Sequence, residues 1–279
     1  MRQAGDLYAC GFNSSGQLGL GHKTHQWKLA RVPFDDVYAS AEARVDQVAC
    51  GGHHTFVKTV DQSGGPLHGA LFACGNNSNG QLGIGSCDSK AVLTPVKALR
   101  ASAHEVACGG HHTLILTHSG SLFACGYNAH GRLGLGRGVR GNQLVPQPVA
   151  LPGGGARAAQ VACGWAHSVV RTDDGAVLAC GRNNYGALGL GHNSNQHTFE
   201  RVPCPLAAEL SCGWGHTWML SAQGDLYSWG HNANGELGLG SALHQNSPQP
   251  VSAKAAMWSM LCSADGERPK EKAPWPLVA

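Results

Sequence analysis

Short apolar runs separated by glycine-containing turns recur along the whole chain, and they predict β-strands rather than helices. In one such stretch, residues 114–116 (LIL) are followed by Ser119-Gly120 and then by residues 122–125 (LFAC). Two β-prone runs joined by a pair ending in glycine are typical of a hairpin, because glycine accepts the positive φ of a tight turn. No segment shows a convincing helical period. We therefore expect roughly four short antiparallel strands in every repeat unit.

The strand pattern belongs to a sequence repeat with two alternating halves. The first half is a glycine-rich segment such as GALFACGNNSNGQLGIG, and the second half reads VACGGHHT or a close variant. First halves occupy residues 5–21, 69–85, 120–136, 175–191 and 224–240, and second halves occupy residues 48–55, 106–113, 161–168 and 210–217. Self-similarity at about 50 residues is typical of units that bury their apolar faces only by stacking on their neighbours. Antiparallel sheets repeated around an axis form a β-propeller, which protects the strand edges.

The alternation of these two halves resembles the repeat of the regulator of chromosome condensation family. The resemblance covers residues 5 to about 262, and it implies an all-β fold, a β-propeller that in this family usually has about seven blades. The chain has five first halves but only four clear second halves. We therefore expect about five repeats in a propeller that is open or truncated. We assign residues 1–262 to the repeat domain and residues 263–279 to a non-repeat C-terminal tail.

Two interpretations of the C-terminal end remain open. Cys262 lies at the spacing expected for another second half, but no glycine follows it. In the first interpretation, the strand around Cys262 joins the strand around Cys10 and closes a five-bladed ring. In the second, the array is truncated, which the abrupt change of composition after residue 262 favours, because true caps are polar variants of the repeat. Truncation predicts a gap of a blade or more between Cys10 and Cys262.

Composition and charge limit the classes of function. Charged residues make up 13% of the chain and the net charge is +3, which is too weak to indicate nucleic-acid binding. No apolar stretch approaches the ~20 residues of a membrane span, and the first residues enter the repeat without room for a signal peptide. We expect an intracellular protein, cytoplasmic or nuclear, that is neither secreted nor bound to a membrane. Chromatin binding is not favoured, because the basic N-terminal arm that the resemblance implies is absent.

We interpret the repeated cysteines and histidines as structural. The odd count of 11 cysteines, without an export signal, favours reduced, buried thiols over disulfides. Each second half offers one Cys-x-x-x-His pair, such as Cys108 and His112, whereas a zinc site needs four converging ligands. We expect His112 and its equivalents to bond to backbone at a turn, with His53 and His111 more exposed. The LGLG segments open no helix that could bind phosphate, so the sequence predicts no metal, no cofactor and no catalytic residue.

Features that occur only once are the best candidates for contacts with a partner, because loops carry partner choice on a generic scaffold. They are an insert at residues 61–68, the segments 22–44 and 137–142, and two tryptophans that replace a repeat glycine. The insert can equally be a neutral surface loop. The candidate partner-binding residues are Trp27, Asp35, Asp36, Asp61, His68, Arg137, Arg140, Trp165 and Trp214.

The resemblance implies two classes of function. The family's exchange factors for the small GTPase Ran use an inserted β-wedge at the nucleotide site, and the insert at 61–68 stands in a comparable place but is short. Other members are scaffolds or adaptors without exchange activity. The tryptophans are similar to the Gly-Trp-Arg-His-Thr motif of the family's plant UV-B photoreceptors, but Ala166 and Gly215 replace the arginine, so photoreception is not expected. We expect a protein-interaction propeller, either an exchange-factor-like regulator of a small GTPase or a non-catalytic scaffold.

Overall fold

The computed structural model describes residues 6–34, 43–61, 68–99 and 101–251, and within these ranges most elements are β-strands. They are β1 (Tyr8–Gly11), β2 (Gln26–Arg31), β3 (Ala43–Cys50), β4 (His54–Asp61), β5 (Leu71–Gly75), β6 (Lys90–Pro95), β7 (Ala103–Cys108), β8 (His112–Thr117), β9 (Leu122–Gly126), β10 (Gln143–Val149), β11 (Ala158–Cys163), β12 (His167–Thr172), β13 (Val177–Gly181), β14 (Gln196–Arg201), β15 (Ala207–Cys212), β16 (His216–Ser221), β17 (Leu226–Gly230) and β18 (Gln245–Pro250). The helical structure in these ranges is one short 3-10 turn, Ala129–Gly131. The predicted all-β fold is confirmed.

The strands form one two-stranded and four four-stranded antiparallel sheets. In chain order these are sheet 1 (β1–β2), sheet 2 (β3–β6), sheet 3 (β7–β10), sheet 4 (β11–β14) and sheet 5 (β15–β18). Every four-stranded sheet begins with a second half of the repeat, takes its third strand from the first half that follows, and takes its fourth strand from the residues after that first half. Sheet 1 comes from the first half at residues 5–21 and the residues after it. The prediction of at least four blade-like sheets is therefore confirmed.

The tight turns within the sheets follow from the glycine pairs of the sequence. Between β8 and β9, Gly120 has a φ of 79° and donates its N–H to the carbonyl of Thr117 at 2.9 Å. Only glycine adopts such a φ without strain. The insert at residues 61–68 lies at the equivalent place between β4 and β5.

A buried asparagine in each of four first halves holds the long loop between the third and fourth strands of a sheet. Asn183 donates from Nδ2 to the carbonyls of His192 and Ser194, and its Oδ1 accepts the N–H of Leu188, at 2.7 to 3.2 Å. The equivalent residues Asn13, Asn77 and Asn232 are also fully buried. A buried polar group that loses its partners costs about 1–3 kcal/mol, so these bonds hold the loops in one conformation.

Neighbouring sheets pack face to face, and the apolar core lies in the layers between them. In one layer, Phe56 and Leu71 of sheet 2 pack with Val106 and Ile115 of sheet 3. The first strand of each four-stranded sheet is the inner strand, because β3, β7, β11 and β15 contact one another in succession. This is the stacking that the repeat predicts, since each unit buries its faces only against its neighbours.

The propeller is open within the described residues. Sheet 1 contains strands equivalent to the third and fourth strands of the other sheets, and β1 and β2 pair with no described strand of sheet 5. The prediction of an open array is confirmed for this part of the chain. The predicted gap between Cys10 and Cys262, and the boundary between residues 262 and 263, lie outside the described residues.

The repeat cysteines in the middle of the array are buried or half-buried, whereas those at its start are exposed. Cys108 and Cys163 donate to carbonyls of the preceding inner strand at 3.6 and 3.5 Å. The described part of the chain has no inner strand before Cys50, and both Cys50 and Cys10 are exposed. The expectation of buried thiols was therefore wrong for these two residues. All ten cysteines in the described ranges are free thiols.

Candidate functional site

Two kinds of loop meet at one edge of every four-stranded sheet. The Cys-Gly-x-x-His turn joins the first and second strands, and the asparagine-anchored loop joins the third and fourth. The strand register places them together, because His112 at the start of β8 pairs with Gly126 at the end of β9. We call this edge the long-loop face. The opposite edge, which carries turns such as residues 118–121, is the hairpin face.

The structure divides the candidate partner-binding residues between these two faces. On the long-loop face lie Trp27, Arg137, Arg140, Trp165 and Trp214. Trp27 is 93% exposed and Trp214 is 52% exposed. Asp61 and His68 lie on the hairpin face, and Asp35 and Asp36 are outside the described residues. The candidates therefore do not form a single site, and five of them share one face.

The two described ends of the insert pack against the protein. Asp61 is only 4% exposed. The Nδ1 atom of His68 lies 3.1 Å from the carbonyl of Asp61, and the imidazole ring lies 5.6 Å from that of His118. Asp61 thus offers almost no surface to a partner, and we leave it out of the interaction surface proposed below.

Aromatic and imidazole rings from successive sheets form a chain across the long-loop face. The ring of Phe12 lies 6.2 Å from that of His53, which lies 6.0 Å from that of His111. Trp165 then contacts both histidines, with its ring 6.4 Å from His53 and 5.4 Å from His111. A Cβ at Gly52 or Gly110 would overlap the Trp165 ring. The repeat glycines of sheets 2 and 3 therefore make room for the tryptophan of sheet 4.

The chain of rings continues on sheets 4 and 5. The main-chain N–H of Trp165 donates to the carbonyl of Trp214 at 3.0 Å. The Tyr185 ring lies 6.4 Å from that of Trp214 and 4.8 Å from that of His231. His231 in turn stacks on His244 at 4.8 Å. The main-chain bond between Trp165 and Trp214 joins this second group of rings to the first. We call the two groups together the aromatic arc; it consists of Phe12, His53, His111, Trp165, Tyr185, Trp214, His231 and His244.

Sequence reasoning identified the two tryptophans of the arc as partner contacts but missed Phe12, Tyr185, His231 and His244. These four residues occupy variable positions of the first half, on either side of the invariant asparagine or in the long loop. Nothing in one repeat shows that they converge. The usable signal was that aromatic or imidazole residues recur at positions facing the same edge of successive sheets.

An arginine lies beneath the arc. Arg132 is buried, stacks over the Tyr127 ring at 4.8 Å and donates from Nη1 to the carbonyl of Trp165 at 3.4 Å. Burial lowers the pKa of Arg132 to about 10, so it stays charged at neutral pH. Burial, together with nearby His53 and Arg132, lowers the pKa of His111. His111 is therefore neutral at physiological pH.

A shallow hollow lies between the two tryptophans of the arc. It is lined by Trp165, Tyr185 and Trp214, together with Arg182 and His167. Arg182 directly follows β13, whereas the arginine of the photoreceptor motif directly follows its tryptophan. The departures at Ala166 and Gly215 from the photoreceptor-like motif therefore remain, although a cation is present nearby.

The buried repeat histidines join neighbouring sheets. The Nε2 atom of each one contacts a hydroxyl of the next sheet: His54 to Thr113 at 2.9 Å, His112 to Ser168 at 2.9 Å and His167 to Thr217 at 3.1 Å. Each hydroxyl donates to a carbonyl, of Gln81, Arg132 or Ala187. Nε2 must therefore carry the proton and donate. The expected backbone partner was wrong; the partner is a side-chain hydroxyl, because the imidazole points across the layer between sheets.

These histidines have no ionising role at neutral pH. Burial is the main cause that lowers the pKa of His54 and of His167 to about 3. His53 and His111 are more exposed than His54 and His112, as predicted. Among the described residues, no group of three or more His, Cys, Asp or Glu side chains is arranged to hold a metal ion. Over the same residues, no helix is long and apolar enough to cross a membrane.

Comparison with known proteins gives relatives that share this architecture. The chain is 36% identical over 179 residues to the secretion-regulating guanine nucleotide exchange factor of Bos taurus, covering 64% of this chain and 36% of that protein. It is 33% identical over 187 residues to the ultraviolet-B receptor UVR8 of Arabidopsis thaliana, covering 67% of this chain and 39% of the receptor. The chain thus spans less than half the length of these relatives.

Solved structures show the same fold. The structure of yeast RCC1 (Prp20) bound to Kap60 superposes with a TM-score of 0.75 at 22% identity, covering 90% of this chain and 58% of that one. Human WBSCR16 gives a TM-score of 0.73 at 26% identity, covering 87% of this chain and 60% of that one. The sequence model of the RCC1-like domain matches residues 1–266. The resemblance found from the repeat is confirmed: the chain belongs to the RCC1-like domain family.

Proposed function

We propose that this protein is a protein-interaction β-propeller that regulates a small GTPase, and that the partner binds on the long-loop face. The observation that carries the proposal is the aromatic arc, a set of rings from all five sheets in which Phe12 is 56% exposed and Trp214 is 52% exposed. Large exposed apolar patches on a folded domain often mark a site where a partner binds.

The chemistry of the arc fits a protein partner. Interfaces between proteins are enriched in tryptophan, tyrosine and arginine, and a few such residues carry most of the binding energy. Trp214 and Tyr185 supply large rings, and exposed Arg137 and Arg140 lie on the same face. The loop that carries Tyr185 is held by the buried Asn183. A partner therefore meets a surface that is already ordered, which lowers the entropic cost of binding.

Guanine nucleotide exchange is the activity we assign to this surface. It needs no metal or covalent chemistry from the propeller, in keeping with a face made of rings and arginines. The bovine relative named above is a guanine nucleotide exchange factor by name, and membership of the RCC1-like family supports regulation of a GTPase in general. The alternative is a scaffold that binds a protein partner on the same face without exchange.

The test is release of a fluorescent GDP analogue from a panel of purified small GTPases, with binding measured in parallel. Trp214→Ala should weaken binding by about 2 kcal/mol or more if Trp214 is a hot spot, which is a factor of about 30 in affinity. Asp173→Ala, an exposed change on the hairpin face, is the control and should bind normally. Binding without accelerated release would identify the scaffold, and equal binding by both variants would refute the long-loop face as the site.

The proposal includes an intracellular location, cytoplasmic or nuclear. It is supported by thiols packed as small apolar side chains in the core, such as Cys125, whose pKa burial raises to about 12. Chromatin remains an unfavoured partner. A yeast structure of 23% identity concerns the binding of Prp20p to Gsp1p and histones, so purified histones belong in the binding panel.

A further inference from the structure

One side chain of each inner strand hydrogen-bonds the main chain of the next inner strand. Gln47 of β3 accepts the main-chain N–H of Val106 in β7 and donates to its carbonyl, both at 3.1 Å. Gln160 of β11 holds Leu210 of β15 in the same way, at 3.0 and 3.1 Å. Between these two junctions, Glu105 of β7 accepts the N–H of Val161 in β11 at 3.1 Å. The side chain three residues before the repeat cysteine of one inner strand thus binds the backbone of the residue two before the repeat cysteine of the next.

The same junctions bury a layer of apolar side chains. Leu114, Leu116 and Leu122 of sheet 3 are covered by Ala158 and Val161, the first and fourth residues of the next inner strand. The three leucines are at most 2% exposed. At each of these junctions, a side chain of one inner strand therefore hydrogen-bonds the next inner strand, and that next strand also covers apolar side chains of the preceding sheet.

Sheet 5 has the equivalent polar side chain and the equivalent apolar residues, but no described inner strand packs over them. Glu209 stands at the position of Gln47, Glu105 and Gln160; it is exposed, and its carboxylate accepts no hydrogen bond from the residues that the structure describes. Trp218, Leu220 and Leu226, the equivalents of the three buried leucines, are partly exposed. With Leu210 and Met219 they line a hollow of about 390 Å³. In sheet 3 the equivalent surface is covered by the next inner strand.

The chain itself contains a matching segment at the right distance. Residues 257–262 read MWSMLC, beside AHEVAC at 103–108, AAQVAC at 158–163 and AAELSC at 207–212. Apolar Met257 and Met260 fall at the first and fourth positions, those of Ala158 and Val161. The step from Pro250, the last residue of β18, to Met257 is 7 residues, against 6, 8 and 9 at the three complete junctions.

We propose that residues 257–262, which lie outside the described ranges, bind over the hollow of sheet 5 as the next inner strand. The carboxylate of Glu209 accepts the main-chain N–H of Met260, and the side chains of Met257 and Met260 cover Trp218, Leu220 and Leu226. No Gly-x-x-His follows Cys262, so the proposal ends with this one strand. It places the C-terminal limit of the repeat domain at residue 262.

Hydroxyl-radical footprinting of the full chain, with oxidation of each tryptophan read by mass spectrometry, tests this arrangement. Trp218 reports on the hollow, and Trp214 on the long-loop face is the internal reference. We expect Met260→Asp to raise the oxidation rate of Trp218 several-fold without changing that of Trp214. Ser259→Asp is the matched control, because the third residue of an inner strand points away from the preceding sheet, and it should leave Trp218 protected.

A second pair of variants tests the proposed hydrogen bond to Glu209 without changing Met260. Glu209→Ala should also raise Trp218 oxidation, whereas Glu209→Gln should not, because glutamine fills this position at two other junctions. If Trp218 reacts at the same rate in the unmodified protein, in Met260→Asp and in Glu209→Ala, the proposal is wrong. Protection of Trp218 that disappears on dilution would also overturn it, because a second copy would then be supplying the strand.

Discussion

The buried histidines between sheets should make the protein lose stability in acid, and His167 is the best place to measure this. His167 is fully enclosed, and its Nε2 donates to the hydroxyl of Thr217 at 3.1 Å. Burial lowers its pKa from 6.5 to about 3. The substitution to make is His167→Gln, because the amide of glutamine can donate to Thr217 but does not titrate.

The direction of the effect follows from which state binds the proton first. In the unfolded chain the imidazole has its ordinary pKa of about 6.5, whereas the folded chain resists protonation until about pH 3. Stability is therefore complete above about pH 6.5 and falls as the pH drops toward 3, because the unfolded state takes up protons. At about pH 5 this linkage amounts to roughly 2 kcal/mol for one such histidine.

The assay is urea unfolding of the protein and of His167→Gln at about pH 7 and about pH 5, values that bracket the titration of a free imidazole. The difference in unfolding free energy between the two proteins should shift by roughly 2 kcal/mol in favour of the variant at the lower pH. His192→Gln, at an exposed loop position outside the layers between sheets, is the matched control. A difference that is the same at both pH values would refute the assignment of His167 as a buried neutral donor.

Two further predictions concern the core. Gly109→Ala should destabilise the protein by roughly 1–3 kcal/mol, as overpacking does, because the new Cβ would overlap the His112 ring; Gly155→Ala, which meets nothing within 4 Å, should leave the melting temperature nearly unchanged. Iodoacetamide should alkylate exposed Cys87 rapidly and leave Cys125 intact in the folded protein, because burial raises the pKa of Cys125 to about 12. Peptide mass spectrometry measures both thiols, and equal labelling would show that Cys125 is not enclosed.

Much of the fold was accessible from sequence because the signals are local. Each hairpin depends on two apolar runs and a glycine such as Gly120, all within about a dozen residues. The repeat then implies the meander of each sheet and its stacking on the next. The sequence also showed one histidine per second half, but not its partner, which is a hydroxyl of the next sheet.

The candidate site was only partly accessible. Trp165 and Trp214 stood out because they replace a repeat glycine, and both belong to the aromatic arc. Tyr185 and His231 gave no such signal, although their rings lie 4.8 Å apart. Asp61 was selected for its place in the insert, yet its side chain is buried.

The sequence by itself determined the strands, their turns and the order of pairing, because glycine conformation and alternating apolar positions act within one unit. Only the tertiary structure decided which side chains meet across the layers between sheets. The Nε2 of His54 and the hydroxyl of Thr113 are 59 residues apart in the chain and 2.9 Å apart in space. Such contacts, like the aromatic arc and the exposure of Cys50, depend on what the neighbouring sheet places opposite each residue, and a single repeat does not contain that information.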